Sequence, residues 1–276
     1  MKAFRPVAAF AAAILVTLGA GGLAPVQVQA QSVSEARQGG AIYVEGTGFC
    51  TIGFNEAGRQ RSFTAAHCGE EGARVHLLDL NTGTQSGAVG TFFRSKVYDE
   101  HLGNDWAAIQ WDNGVRIAPN YFSGDAWVNP GSIRPGERVC YYGQITNRRT
   151  SEPTCGTFEG AVGNTYFVDA RLTQPGDSGG PMWVPGRGFV GVVSSMWTAA
   201  PLPLIGKRDF IIGVHPVDGP GVSETNLFAL YVQNLLLVAT GSSRGPGADL
   251  IRGAFAQFMS IFNSLGLRIP GLINYS

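Results

Sequence analysis

The sequence predicts an all-β chain, folded as barrels or as a sandwich. Two successive sets of about six short apolar runs are separated by turns rich in Gly, Asn and Pro, and no long helix interrupts them. Charged residues make up only 14% of the 276 positions, against 39 glycines and 15 prolines, a balance that suits a loop-rich β protein better than a helical bundle. There is no short-period internal repeat.

The first set of strands begins at Gly39. Residues 39–55 alternate apolar and small side chains around turn glycines and read as two short strands. Residues 62–68 form a strand running into a sharp end at His67-Cys68. Residues 73–80 and 90–97 are further strands bounded by turn chemistry, and residues 106–111 form a compact apolar run suited to a buried strand. Residues 112–135 lack periodicity and read as the crossing between two modules. Strands resume at 138–145, 156–162, 165–171, 188–196 and 209–214. Residues 227–240 are apolar but too short to span a bilayer, and are expected to form a short helix packed on the second module. Residues 241–247 read as a linker. Ile251, Phe255, Phe258, Phe262 and Leu265 then recur at helical spacing, so 248–265 is an amphipathic helix suited to a contact with the body, a partner or a membrane surface.

The N-terminus reads as a secretory signal, with Lys2 and Arg5 ahead of an apolar stretch from Val7 to Leu18 and small residues at Val28 and Ala30. Cleavage after Ala30 and an extracellular or cell-envelope location are expected. Two of the 20 basic residues precede that point and all 20 acids follow it, so the remaining chain is slightly acidic and carries no nucleic-acid footprint. Four cysteines in an exported chain suggest two disulfides with three pairings open; the sequence-near one joins Cys50 to Cys68 and Cys140 to Cys155. No cysteine or histidine spacing suits zinc, so neither a metal nor a cofactor is expected.

The stretch that carries chemistry is Gly176-Asp177-Ser178-Gly179-Gly180-Pro181. A hydroxyl nucleophile needs an exposed, sharply held turn with backbone N–H groups aimed where an oxyanion will form. Its glycines permit such a turn, and Asp177 can pin it from inside. Thr64-Ala65-Ala66-His67-Cys68 places a histidine at a strand end, and Asn104-Asp105-Trp106-Ala107-Ala108-Ile109 places an acid at the mouth of a buried strand. His76, His101 and His215 lack that setting.

In this order and with these flanks, the three segments resemble the chymotrypsin-like serine proteases. The likeness is closer to the secreted actinobacterial branch of streptogrisin and α-lytic type: Gly40-Ala41-Ile42-Tyr43 and Cys50-Thr51-Ile52-Gly53-Phe54-Asn55 resemble its mature start, and Val139-Cys140 with Cys155-Gly156-Thr157 its mid-chain disulfide. The resemblance covers about residues 39–215. It implies two six-stranded antiparallel β-barrels with the site between them, here 31–120 and 121–240, followed by the linker and helical extension of 241–276. It also implies roles: Ser178 as nucleophile, His67 as general base and acid, Asp105 as the group that orients the histidine, and the N–H groups of Gly176 and Ser178 as oxyanion hole. A monomeric, secreted endopeptidase acting on protein or peptide is the expectation; the alternative is a protease-like module that binds a partner at the cell envelope.

The chain departs from that pattern in four places. Leu172-Thr173-Gln174-Pro175 stands where relatives carry a cysteine ahead of the serine. Leu172 holds the position at which relatives that cleave after Lys or Arg carry an acid. With Leu172, Thr173, Ser194, Ser195 and Met196 as pocket-lining candidates and Met196 narrowing the space, small to medium apolar P1 residues are expected. Tyr141 replaces the branch's arginine beside Asp177, leaving Tyr141, Tyr142, Arg138 or an amine near Ala41 as partners for that acid. Finally, only residues 31–39 separate the signal from the mature-like start, too few for a folding pro-domain.

Overall fold

The computed structural model describes residues 35–98, 104–202, 206–219, 229, 232, 233, 236 and 246–265. The signal-like segment, His101, residues 241–245 and most of 227–240 lie outside the described residues.

The chain is built from two β-sheets in sequence. The first contains β2 (Ala41–Val44), β3 (Gly48–Thr51), β4 (Phe54–Glu56), β5 (Arg61–Thr64), β6 (Arg74–Asp79), β7 (Thr84–Arg94) and β8 (Ala107–Trp111). Its order is β3-β2-β6-β7-β8-β5-β4, an open seven-stranded ladder where a closed six-stranded barrel was expected. The reason is a bend at Ile52-Gly53. Residues 48–56 pair with β2 through β3 and with β5 through β4, so the two edge strands are consecutive in the chain with no ladder between them. Two minor strands, β1 (Glu35–Ala36) and β9 (Arg116–Ile117), pair in parallel ahead of and behind this sheet.

The second sheet meets the expectation. β10 (Arg138–Tyr141), β11 (Thr154–Val162), β12 (Thr165–Asp169), β13 (Pro181–Val184), β14 (Gly188–Leu202) and β15 (Gly206–Val214) close into a six-stranded barrel in the order β10-β11-β12-β15-β14-β13. β13 is the strand the sequence pattern did not reveal. It has four residues, all buried, so it shows no alternation, and it opens on a proline, which a strand tolerates at its first position. Both disulfides take the sequence-near pairing, Cys50 with Cys68 and Cys140 with Cys155; the second joins directly opposed residues of β10 and β11.

Each sheet fills its own core. Ile42, Val44, Ile52, Val75, Leu77, Phe92 and Ile109 pack inside the first, and Val139, Tyr141, Phe158, Tyr166, Val168, Val190 and Ile211 inside the second. A third apolar group, Phe54, Phe63, Phe189 and Val192, joins β4 and β5 to β14, with the rings of Phe54 and Phe189 stacked at 4.5 Å. Burying aromatic pairs of this kind contributes about 0.5–1.5 kcal/mol beyond their area. This group fixes the first sheet against the strand that carries Ser194.

The C-terminal helix α1 spans Pro246–Ser264 and starts earlier than expected, taking in the last two residues of the presumed linker. Pro246 at its first turn lacks only a donor the helix cannot use there. The helix is tied to the barrel by a buried ion pair from Arg252 Nε to Glu159 Oε2 at 2.9 Å, with Gln233 Nε2 donating to the same oxygen at 3.0 Å. Among the described helices none is long and apolar enough to cross a membrane.

Candidate active site

His67 lies in a short 3-10 turn, Ala66–Cys68, that ends β5. Asp105 lies two residues ahead of β8, the neighbour of β5 in the sheet. The antiparallel pair therefore delivers the histidine and the carboxylate to one edge. His67 Nδ1 lies 2.7 Å from Asp105 Oδ2, and the His67 backbone N–H donates to Oδ1 at 2.8 Å. Ser194 Oγ donates to Oδ2 at 2.6 Å from β14 of the other sheet. Nδ1 thus faces a carboxylate, and Nε2 is left to exchange a proton.

The electrostatics follow from these contacts. Burial pulls the His67 pKa down, but the charge and hydrogen bond of Asp105 outweigh it and hold the imidazole above its usual value; Arg94 opposes them weakly. Burial pushes Asp105 up, but His67 and the donors from Ser194 and the His67 N–H more than offset it, leaving the carboxyl below its usual value. Asp105 is thereby kept ionised beside a histidine that can be charged.

Asn104 is a residue the sequence reasoning passed over. It adopts a left-handed conformation, φ 53°, in which its side chain accepts from Asn164 Nδ2 at 2.7 Å and from the Gly219 N–H at 2.8 Å, and donates to Gly219 O at 2.7 Å. Asn tolerates this conformation better than most residues. It ties the residue beside Asp105 to the second barrel.

Ser178 sits on a turn clamped from both sides. The Thr51 N–H donates to Ser178 O at 2.8 Å, while Gly179 N–H to Val193 O and Val193 N–H to Gly180 O, at 2.7 and 2.8 Å, bind the turn to β14. Gly179, with φ +82°, has no alternative: a Cβ there would stand 1.9 Å from Thr64 Oγ1 and 2.9 Å from the Ala65 nitrogen. The turn after the serine therefore packs directly on the strand that leads to His67. Gly176, with φ +99°, lies against the exposed ring of Phe49. Among the described residues neither the Gly176 nor the Ser178 N–H has a protein acceptor, and no hydrogen bond joins Ser178 to His67.

Asp177 is fully buried and takes none of the four partners the sequence offered. Its Oδ1 accepts from the N–H groups of Ile145 and Thr146 at 2.7 and 3.0 Å, and its Oδ2 from the Gln174 N–H at 2.8 Å and from the Thr146 hydroxyl. Tyr141 Oη instead donates to Arg171 O at 3.2 Å, Tyr142 stacks on Phe122, Arg138 lies on Cys155, and Ala41 is held within β2. No local pattern marks Thr146, so the sequence held no signal for it.

Of the pocket-lining candidates, Ser194 turns its hydroxyl to Asp105, and Ser195 follows it in β14. Met196 is 45% exposed, and Leu172 and Thr173 are half-buried ahead of the serine turn. Donor atoms of Cys50, His67 and Cys68 lie within 4.8 Å of one another, but both sulfurs are spent in a disulfide, which leaves no cluster able to hold a metal there. His76 bridges Ser86 O and Glu45, and His215 faces Val190 O, where burial lowers its pKa.

The trypsin family model matches residues 42–215. An uncharacterised protein of Mycobacterium tuberculosis is 32% identical over 214 residues, covering 70% of this chain and 87% of that one. Streptogrisin-C of Streptomyces griseus is 28% identical over 179 residues, covering 60% of this chain and 36% of its own length. Serine protease 2 of Streptomyces fradiae is 29% identical over 164 residues, covering 52% and 86%.

Proposed function

The chain belongs to the trypsin family of serine proteases, and from that premise we propose that it is a secreted endopeptidase working through an acyl-enzyme on Ser178. The observation that carries this reading is the double contact of His67 with Asp105, through ring and backbone, on the edge where the serine turn packs.

In the proposed cycle His67 Nε2 takes the Ser178 proton as the hydroxyl oxygen attacks the scissile carbonyl. The carbonyl oxygen becomes an oxyanion that the N–H groups of Gly176 and Ser178 receive; each such donor is worth on the order of 10²–10³ in turnover. The imidazolium, stabilised by Asp105, returns its proton to the leaving amine. Water then repeats the sequence in reverse and frees the serine. Ser194 steadies the acid that orients the base. The half-buried Leu172 and the thioether of Met196 leave no charge to hold a basic P1 side chain, which supports a preference for small to medium apolar residues. Two disulfides support an oxidising, extracellular setting, and a monomer acting on protein or peptide is the simplest form of the reading.

The missing hydrogen bond between Ser178 and His67 favours the rival reading, a protease-like binding module. Catalytic contacts of this kind often tighten only with substrate bound. Treatment with a fluorophosphonate at pH 8 separates the two. Stoichiometric labelling of the folded wild-type protein, abolished in Ser178→Ala, is expected; an unlabelled, folded wild type points to the binding module.

A further inference from the structure

Asp177 lies between the two residues whose N–H groups would form the oxyanion hole, so whatever fixes this carboxylate fixes the hole. Each of its oxygens receives two donors, supplied by Ile145, Thr146 and Gln174, and none of them is a cation. The loop that presents these donors is itself tightly built. Asn147, 3% exposed, accepts from the Gly143 N–H at 2.8 Å and donates to Glu152 O and Thr154 Oγ1 at 2.8 and 2.9 Å, while its own N–H returns to Gly143 O at 2.9 Å. Gly143 is pressed so close that a Cβ there would come within 2.2 Å of the Asp177 carboxyl carbon. The site has neither room nor a free lone pair for an incoming amine.

The chain ahead of Gly39 is equally committed. Ala36 is fully buried in β1, and its carbonyl accepts from Asn55 Nδ2 at 3.0 Å and the Ala118 N–H at 2.9 Å. Gln38 is 4% exposed and bonds Gly53 O, Ser123 Oγ and the Phe122 N–H. The Gly39 N–H donates to Ile52 O at 2.7 Å, and Gln144 Nε2 donates to Gly39 O at 2.7 Å. Residues 35–39 are thus stitched to the first sheet, to the segment 118–123 and to the loop after β10, and a cut near Gly40 would leave its new amine at the start of a paired strand.

We propose that Thr146 is the positioning residue that holds Asp177, and that the oxyanion turn is complete while the chain ahead of Gly39 is still attached. No freed terminus has to insert for the site to form. The proposal rests on the protease reading for its catalytic consequence, but its structural content can be read without turnover.

The test uses the secreted-length chain with residues 31–39 verified intact by mass spectrometry, together with Thr146→Val and Thr146→Ser. Active-site acylation, kcat and KM are measured alongside amide hydrogen exchange over residues 174–180. The uncut wild type is expected to acylate. Loss of one hydroxyl donor to a buried carboxylate predicts a fall of about ten- to a hundredfold in kcat for Thr146→Val, with KM within about twofold. Faster exchange over 174–180 should accompany that fall, and Thr146→Ser should restore both. Turnover and exchange in Thr146→Val equal to wild type would overturn the proposal, as would acylation that appears only after cleavage near Gly39. If the wild type never acylates yet Thr146→Val still speeds exchange in the turn, the positioning role stands and the protease reading falls.

Discussion

Two buried carboxylates flank the serine turn, and their surroundings differ in kind. Asp105 is met by a titratable ring, a hydroxyl and one backbone N–H. Asp177 is met by three backbone N–H groups and one hydroxyl. The first is coupled to a proton that moves during the proposed reaction, so its strength varies with pH. The second is made of donors that never titrate in the working range, so it acts as a fixed part of the frame. Burial alone does not say what an acid does; the protonation behaviour of its partners does.

Breaking the Asp105 side should give the larger effect. Asp105→Asn removes the carboxylate that orients His67, and a loss on the order of 10⁴ in kcat is expected, the magnitude known for this change in the Ser-His-Asp triad. The acid limb of the pH–kcat/KM profile should also move down, because only burial and Arg94 then act on the ring. Breaking the Asp177 side should be milder. Asp177→Asn sets an amide donor against the N–H groups of Ile145, Thr146 or Gln174, and an unmatched buried donor costs about 1–3 kcal/mol, or roughly ten- to a hundredfold in turnover. Its pH limb should stay where the wild type's is. A limb that moved equally in both variants would erase the distinction between the two acids.

The smallest effect is the position of the wild-type limb. His67 is raised above its ordinary value, so general-base activity should appear with an inflection above about pH 6.5. The same shifts bear on stability. The contribution of protonated His67 is complete below its unfolded pKa and is lost as pH rises through the higher folded one. Asp105 is lowered, so its contribution is present above the unfolded pKa and is lost as pH falls through the folded one. Thermal denaturation of wild type and Asp105→Asn across pH 3–9 reads both, and parallel curves would count against the coupling.

Much of this architecture was written locally. His67, Asp105 and Ser178 stand in short segments whose glycines, strand ends and flanks impose their own geometry, and the alternating runs announce most strands. The hidden pieces share a cause. β13 is buried on every side and so has no alternation to show. The open first ladder depends on a bend at Ile52-Gly53 that hands one run of chain to two neighbours. Ser194 was legible as a strand residue beside the site, but its bond to Asp105 crosses 89 positions.

What the sequence by itself offered is therefore the candidate groups of the proposed reaction and the largely β frame, because both follow from side-chain chemistry and local backbone preference. Only the tertiary structure decided what holds those groups. The donors to Asp177 from Ile145 and Thr146 come from a loop about 31 residues away, and two of those donors are backbone N–H groups that every residue but proline possesses. A hydrogen bond offered by the main chain leaves no mark in the order of side chains, and it can be found only where the chain has been folded back on itself.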